Sequence, residues 1–179
     1  MNPETLELLK YPTGKFKAPE TYSPQSRKND IQKLRALPGL LRQITYNLTE
    51  TQLDTPYRTA GWSSRKIVHH LADSHINSFT RFKLALTEDN PMIKPYDEAA
   101  WAEGSDADMP IDVSLSILDG VHARIVNLIE NMSEAQFQRT LSHPEWKNDL
   151  SLDKMTALYA WHGHHHMTQI IRLKERQGW

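Results

Sequence analysis

The chain has 179 residues, a formal net charge of −1 at pH 7 and no cysteine. This length is enough for one domain with a sizeable core, so residues 1–179 are predicted to form a single domain. The near-neutral charge gives no reason to expect nucleic acid or an anionic membrane as a partner. Without cysteine, the chain has no disulfide, no thiolate metal ligand and no catalytic thiol.

The N-terminal residues lack the basic and then apolar pattern of a secretory signal, and no run of about 18 apolar residues occurs. A chain without cysteine is also compatible with a reducing compartment. We therefore expect a soluble, cytoplasmic protein that does not enter a membrane.

Apolar residues recur at spacings of three and four in four long stretches of the chain. These stretches predict helices over about residues 24–48, 63–86, 113–131 and 151–176. Ser63 suits the start of the second helix, because its hydroxyl can accept from an amide of the first turn. Pro38 lies inside the first helix, where it removes a backbone donor, and it predicts a kink or a break.

Two further segments have the composition of irregular structure. Residues 1–23 are rich in turn formers and predict an extended arm laid over the domain. Residues 88–112 are acidic and contain prolines, and they predict one long loop, either a lid or a packed excursion. With no convincing strand, the fold class is predicted as an all-α four-helix bundle. Such bundles build metal sites from side chains on facing helices.

Histidines cluster in two of the predicted helices. His162 and His166 are four residues apart, so their rings project from one helix face about one turn apart and can reach one cation. His70 is the best candidate for a third ligand, because it lies on the apolar face of another helix. Three nitrogen ligands suit zinc, nickel, copper or iron(II), and they leave a position open for water or substrate.

A buried histidine is often a core residue with satisfied hydrogen bonds, and this alternative stays open for each of the three. His122 and His143 are predicted to be structural. The other histidines are predicted to be packing residues, or groups that hold the ligands in place: His69, His75, His164 and His165. Tyr159 and Trp161 are predicted to be packing residues as well.

Gly163 follows the first histidine of the C-terminal pair. In the similarly spaced pair of zinc proteases, this position holds the glutamate that acts as general base. The sequence therefore argues against a protease. Glycine inside a helix costs up to about 1 kcal/mol relative to alanine, so its presence predicts that a bulky group packs against the backbone there.

Several motifs extend over nearly the whole chain. The most specific are Thr-Pro-Tyr-Arg at residues 55–58 and the two histidine-bearing stretches 68–75 and 161–166. The others lie at residues 11–14, 61–62, 81–83, 95–98 and 178–179. Together these motifs resemble the YfiT branch of the DinB-like family.

This resemblance implies an up-up-down-down four-helix bundle, commonly a homodimer. It also implies a zinc or nickel ion held by three histidines, which correspond to His70, His162 and His166 in this chain. Proteins of the branch were long described as metal-dependent hydrolases. The activity better supported for the branch is thiol transfer, in which bacillithiol, a low-molecular-weight thiol, is conjugated to an electrophile.

The leading hypothesis is a metal-dependent thiol S-transferase that acts on a low-molecular-weight thiol and an electrophilic small molecule. Because the chain has no cysteine, the thiol has to arrive as a substrate. Arg58 and Arg81 are candidates for binding a carboxylate of that thiol, since arginine forms bidentate pairs with carboxylates. A structural salt bridge is the alternative for both arginines.

Two other hypotheses use the same three histidines. The first is a metal-dependent hydrolase, for which Asp73, three residues after His70, is the candidate base. The second is a non-catalytic metal-binding dimer module, which predicts no buried substrate pocket beside the metal. A requirement for added thiol separates the transferase from the hydrolase.

Overall fold

The computed structural model describes residues 3–145 and 147–179 of the chain. Its four long helices are α2 (Pro24–Thr45), α4 (Ser64–Thr87), α6 (Ile111–Glu130) and α8 (Leu152–Gln177). Every boundary lies within one helical turn of its predicted position. In the described part of the chain, no helix combines the length and apolarity that a membrane crossing requires.

Shorter elements lie in the connections between the long helices. These are the helices α1 (Pro3–Lys10), α3 (Glu50–Leu53), α5 (Glu98–Trp101) and α7 (Glu134–Phe137), a 3-10 turn at Ser105–Asp108, and the strands β1 (Thr140–Leu141) and β2 (Leu150–Ser151). The strands pair antiparallel, with Thr140 opposite Ser151. They were not predicted, because two residues are too few to show an alternating pattern.

The predicted arm is only partly extended. Residues 3–10 form α1, and residues 1 and 2 lie outside the described residues. The irregular part that follows packs on α8 through two aromatic contacts. The Tyr11 ring lies 5.9 Å from the His165 ring, and the Phe16 ring lies 5.7 Å from the Trp161 ring.

The long helices begin and end at residues suited to those positions. The Ser63 hydroxyl accepts from the Lys66 amide at 3.2 Å, as the sequence predicted for the start of α4. Ser151 caps α8 in the same way, accepting from the Lys154 amide at 3.2 Å. Gly178 follows the last residue of α8, and its φ of 72° is a left-handed conformation that favours glycine.

The long helices follow the order α2, α8, α4, α6 around the bundle. Two contacts show that α2 and α8 run parallel. Near the start of both helices, Arg27 pairs with Asp153. Near their ends, the Lys174 ammonium donates to the Ile44 carbonyl.

α4 and α6 also run parallel to each other. His69 contacts Ser114 near the start of both helices, with 2.7 Å between Nδ1 and Oγ. Further along both helices, the Arg124 guanidinium lies over the Phe79 ring, 4.4 Å from its centre.

The two parallel pairs run in opposite directions. Arg35 on α2 pairs with Glu130 at the end of α6, whereas Arg42, one to two turns later on α2, pairs with Asp119 nearer the start of α6. The helices therefore run up, down, down and up in chain order. The all-α four-helix bundle is confirmed, but this order differs from the expected up-up-down-down order. The up-up-down-down order requires two connections that run the length of the bundle. In this structure one connection, the segment 88–110 between α4 and α6, runs that length.

The core consists of two apolar clusters with a layer of histidines between them. On α6, His122 lies between Leu118 of one cluster and Ile125 of the other. His75 of α4 and His162 of α8 lie at the same level. The His75 ring is 4.8 Å from the His122 ring and 5.5 Å from the His162 ring. Because buried polar atoms need hydrogen-bond partners, this layer constrains the helices around it.

Pro38 lies within α2 without interrupting it, so the predicted break does not occur. Proline has no backbone N–H, and the carbonyl of Leu34, four residues earlier, therefore loses its helical partner. The Nδ1 atom of His122 on α6 lies 2.6 Å from that carbonyl oxygen and supplies the missing donor. The carbonyl that Pro38 leaves without a partner in α2 therefore accepts a hydrogen bond from α6.

Gly163 is a position of close contact between α8 and α2. A Cβ atom at this position would overlap the Leu37 side chain, which is the bulky group that the sequence predicted. The absence of a side chain lets α2 pack directly against α8 beside His162 and His166. The glycine lowers the intrinsic stability of α8, but it permits the close packing of α2 beside the histidine layer.

The bond between His122 and Leu34 can be tested by a double-mutant cycle. His122→Phe removes the donor and keeps a ring in the layer, and we expect the free energy of unfolding to fall by about 1–3 kcal/mol, because a buried carbonyl loses its partner. In a Pro38→Ala background, residue 38 regains an N–H for Leu34, so the same substitution should cost about 1 kcal/mol less. Urea denaturation of the four proteins measures both costs. Equal costs of His122→Phe in the wild-type and Pro38→Ala backgrounds would contradict the hydrogen bond between His122 and the Leu34 carbonyl.

Candidate metal centre

Three imidazoles come together at the inner faces of α4 and α8. The ligating ring nitrogens of His70, His162 and His166, here called the histidine trio, all lie within 4.8 Å of one another. His70 is buried, and the other two are partly buried. The Nε2 atoms of His70 and His162 are 3.3 Å apart. The structure thus brings together the three residues that the sequence singled out.

The spacing and chemistry of the trio fit a divalent transition metal ion. Two nitrogens that each lie about 2.0–2.1 Å from a tetrahedral zinc ion are separated by about 3.3 Å, which matches the distance between His70 and His162. Three imidazoles form a donor set that suits zinc, nickel, copper or iron(II). The trio can therefore hold such an ion and leave at least one coordination position open.

Burial keeps these imidazoles neutral, as metal binding requires. The pKa of His70 is lowered from 6.5 to about 4, because its buried position disfavours the charged form. The pKa values of His162 and His166 are lowered well below the usual value, first by burial and then by the neighbouring histidines. Each ring nitrogen that faces the site can therefore offer a lone pair near neutral pH.

A hydrogen-bond chain fixes the ring of His166. Its Nδ1 atom lies 2.9 Å from Oε1 of Gln169, and because an amide oxygen only accepts, Nδ1 carries the proton. The Nε2 atom is therefore left free for a metal ion. The amide nitrogen of Gln169 donates to the Lys10 carbonyl at 3.0 Å and lies 3.2 Å from Nε2 of His165. His165 in turn contacts the Thr13 hydroxyl at 3.2 Å, which joins the N-terminal segment to the site.

His75 contacts the Nδ1 atom of His162, as Gln169 contacts the Nδ1 atom of His166. Nε2 of His75 lies 3.3 Å from Nδ1 of His162. If His162 is to bind a metal through Nε2, its Nδ1 carries the proton and donates it to His75. The His75 side chain is fully buried, and its own Nδ1 has no hydrogen-bond partner among the described residues. An apolar residue would avoid that cost, so the contact with His162 is the physical reason for a histidine here.

The remaining histidines serve other purposes or face outward. His69 bonds to Ser114 and to the Met109 carbonyl, and it ties α4 to the start of α6. His164 is exposed, on the outer side of α8. His122 holds the Leu34 carbonyl and is structural, as the sequence predicted.

Two cavities border the trio. One of about 520 Å³, here called the His162 cavity, is lined by Ser74, Arg81, Tyr96, His143, Tyr159 and His162, among others. The other, of about 400 Å³, is here called the His166 cavity. It is lined by Lys10, Tyr11, Arg58, Trp62, His166 and Gln169, among others. Glu98 at the start of α5 lines both cavities, so they adjoin at that residue. Both volumes are within the range of small-molecule sites.

The candidate residues outside the trio have mixed outcomes. Arg58 and Arg81 each line one cavity, and neither pairs with a carboxylate among the described residues. The alternative of a structural salt bridge therefore does not hold for them. Asp73, the candidate base, lines neither cavity, and its pKa is raised by burial and then by the charge of Asp106.

Sequence reasoning missed the role of two tyrosines and a glutamate. Tyr159, predicted to be a packing residue, is buried, but its hydroxyl accepts from Arg81 at 3.0 Å and it lines the His162 cavity. Tyr96 lines the same cavity, and burial raises its pKa to about 12. Glu98 and Tyr96 lie on the segment 88–110, and no spacing rule connects that segment to the histidine helices. The segment packs along the site, which makes it a wall of the cavities.

Comparisons with known proteins agree with this fold. The DinB superfamily matches residues 33–170. A protein of Geobacillus thermodenitrificans is 45% identical over 176 residues, which is 98% of this chain and 99% of its own length. YfiT of Bacillus subtilis is 44% identical over 172 residues, which is 96% of this chain and 97% of its own length. Both relatives are provisionally named as metal-dependent hydrolases.

Solved structures give the same result. The structure of YfiT, described as a four-helix bundle with an unusual topology, matches with a TM-score of 0.94 over 96% of this chain and 99% of that chain. A mycothiol-dependent maleylpyruvate isomerase matches with a TM-score of 0.62 at 13% identity, over 80% of this chain and 60% of that chain. The second likeness shows the fold alone.

The fold and the site define a helical-bundle protein with a three-histidine cluster that can hold a metal ion. The chain belongs to the DinB superfamily. The resemblance to the YfiT branch, inferred from the motifs, is confirmed by the extent and identity of the match to YfiT itself.

The buried histidines predict a loss of stability in acid for the metal-free protein. His70 and His165 have pKa values lowered from 6.5 to about 4. As the pH falls from 7.5 to 5.5, the unfolded chain takes up a proton at each position while the folded chain stays neutral. The free energy of unfolding should therefore fall by about 1.3 kcal/mol for each of the two histidines. The other buried histidines act in the same direction. Urea denaturation with a chelator at both pH values measures the loss.

A variant at His165 measures the contribution of a single histidine to this loss of stability. His165→Gln removes one of these titrating groups, so its loss between pH 7.5 and 5.5 should be smaller than that of the wild type by about 1.3 kcal/mol. An unchanged loss in the variant, or equal wild-type stability at both pH values, would contradict neutral burial of these imidazoles.

The contact of His75 with His162 predicts an effect on metal affinity. His75→Phe keeps a ring in the layer but removes the acceptor that orients His162, and we expect metal to bind about 10–100-fold more weakly. Competition against a chromophoric chelator measures the dissociation constant. The matched control is His122→Phe, which alters the same layer without touching the trio and should retain the wild-type affinity. Wild-type affinity in the His75 variant would refute the orienting role.

Proposed function

We propose that the chain is a metal-dependent enzyme that transfers a low-molecular-weight thiol, such as bacillithiol, to an electrophilic small molecule. The observation that carries this proposal is the histidine trio with two adjoining cavities beside it. Three protein ligands leave a coordination position open, which is typical of catalytic rather than structural zinc sites. The provisional names of the relatives support the metal dependence.

Zinc or nickel is the proposed metal, because both suit a site of three imidazole nitrogens. His70, His162 and His166 would hold it. When bound, the ion would supply the positive charge that keeps a thiol ionised near neutral pH. The chain has no cysteine, so no thiol of its own competes with the substrate for that position.

The proposed transfer forms a carbon–sulfur bond. The substrate's sulfur attacks an electrophilic carbon, and the bond from that carbon to its leaving group, for example a halide, breaks. The leaving group departs with the bonding electron pair, and the proton of the thiol passes to solvent. The contribution of the chain is to hold the two substrates in the two cavities, so that sulfur and carbon meet beside the trio.

The presence of two adjoining cavities favours a reaction of two substrates over a non-catalytic module, which predicts no buried substrate pocket beside the metal. A hydrolase is the second candidate. Glu98 lines both cavities and could act as the base for a water molecule acidified by the metal. Asp73 lines neither cavity and is a weaker choice. The homodimer stays a prediction from the resemblance, and the cytoplasmic location stays a prediction from the composition of the chain.

The deciding experiment measures conjugate formation from bacillithiol and a chlorobimane, with metal-loaded and metal-stripped protein. We expect turnover that requires both metal and thiol. His162→Ala should lower the rate by more than about 100-fold, since losing an outer partner of a ligand already costs 10–100-fold. His164→Ala, which removes an exposed histidine from the same helix, is the matched control and should retain the rate.

Each other outcome has a clear meaning. Metal-dependent ester or amide hydrolysis without added thiol would replace the transferase by the hydrolase. Bound metal without turnover of any cellular thiol would support a binding module. Full turnover in His162→Ala would remove the metal from the mechanism.

A further inference from the structure

We propose that the His166 cavity is a subsite for a carboxylate of the thiol substrate, and that Arg58 binds this carboxylate. The inference rests on the proposed function, because it assigns one of the two substrates of that reaction to one of the two cavities. The arguments come from the contacts of Arg58, from the charges around it and from its neighbours in the cavity.

Arg58 is held in place with part of its guanidinium unused. Its Nε donates to the Tyr57 hydroxyl at 3.0 Å, and Nη1 donates to the Thr59 carbonyl at 2.9 Å. Nη2 has no partner among the described residues. Arginine forms bidentate pairs with carboxylates through such a free edge. The side chain is therefore fixed by two bonds while it keeps donors for a ligand.

The turn around Arg58 is built to hold that side chain. The Gly61 amide donates to the Arg58 carbonyl at 2.9 Å, and the Tyr57 amide donates to the Trp62 carbonyl at 3.0 Å. A Cβ atom on Gly61 would lie 2.6 Å from Cγ of Arg58, so the glycine makes room for the stem of the arginine. A preorganised cation loses little freedom when a ligand binds.

The charges that line the His166 cavity favour an anion. Lys10 and Arg58 contribute two positive charges, whereas Glu98 contributes one negative charge. The Lys10 ammonium has no partner among the described residues. Arg58 differs from Arg27 and Arg65, which are both engaged by carboxylates. An anionic group of the ligand would give this cavity the partner that it lacks.

Trp62 connects the Arg58 end of the cavity to the histidine trio. Its ring lies 4.7 Å from the His70 ring and 6.2 Å from the His166 ring, and it lines the same cavity as Arg58. Because Arg58 and His166 line the same cavity, we place the sulfur of a small thiol at the trio and its carboxylate at Arg58.

The His162 cavity is left for the electrophile. Its walls include Pro95 and Leu158 together with the rings of Tyr96 and Tyr159, which suit a carbon skeleton. Three carboxylates line it, on Asp97, Glu98 and Glu145, whereas Arg81 is a single cation that already donates to Tyr159. This balance makes the His162 cavity the less favourable place for an anionic thiol.

The test measures thiol binding rather than turnover. In cobalt(II)-loaded protein, a thiol that binds the metal as thiolate gives a charge-transfer absorption band. The probes are N-acetylcysteine, which carries a carboxylate, and N-acetylcysteinamide, in which an amide replaces it. We expect the wild type to bind the acid about tenfold more tightly than the amide, because a hydrogen bond to a charged carboxylate is stronger than one to a neutral amide.

Two variants locate the carboxylate. Arg58→Gln should bind both probes with similar affinity, whereas Arg81→Gln should keep the tenfold preference for the acid. Cobalt affinity, measured for each variant, establishes that the trio is intact. Arg58→Lys should restore part of the preference, because it restores the charge without the bidentate geometry.

The outcomes separate this inference from the proposed function. If cobalt binds but neither thiol gives the band, the transferase proposal fails and this subsite fails with it. If both thiols give the band with equal affinity in the wild type, the carboxylate subsite is refuted and the transferase proposal stands. A preference lost in Arg81→Gln and kept in Arg58→Gln would move the carboxylate to the His162 cavity.

Discussion

The arrangement of this bundle depends on the burial of neutral imidazoles between two apolar clusters. A hydrocarbon layer needs only the right volume, whereas a buried imidazole nitrogen is stabilised by a partner of the right kind at the right distance. The partners are a backbone carbonyl on α2, a glutamine on α8 and another histidine on α4. These hydrogen bonds determine which nitrogen of each ring carries its proton. The metal-binding character of the trio is therefore a property of the packed bundle and not of the three residues alone.

The long helices and the trio could be predicted because both follow from helical periodicity. The spacing of His162 and His166 places two rings on one face whatever the rest of the chain does. His70 could be chosen because it shares a face with apolar residues, and such faces turn toward the core. The direction of the helices could not be predicted from local pattern, since it depends on which connection runs the length of the bundle.

The cavities and the hydrogen bonds around the trio could not be predicted from the sequence either, and the reason is different. They join residues that are far apart in sequence, such as Lys10 with Gln169 and Arg81 with Tyr159. Tyr159 was predicted to be a packing residue, and it is buried, but a pattern of burial does not distinguish a packing tyrosine from one whose hydroxyl faces a cavity. Glycine was more informative: Gly163 indicated a close contact, which the structure identifies as Leu37.

The proline in α2 has a consequence for how the helices align. In the interior of an intact helix, each carbonyl already accepts a hydrogen bond from the amide four residues along, so it is a weaker acceptor for a neighbouring helix. Pro38 frees one acceptor in the interior of α2, that of Leu34, and so creates a position there at which the donor of His122 is satisfied. If α6 slid by one turn along α2, the donor would meet only occupied carbonyls. The proline thus specifies the register of two helices, in the way that one polar residue at an apolar seam fixes the alignment of a coiled coil.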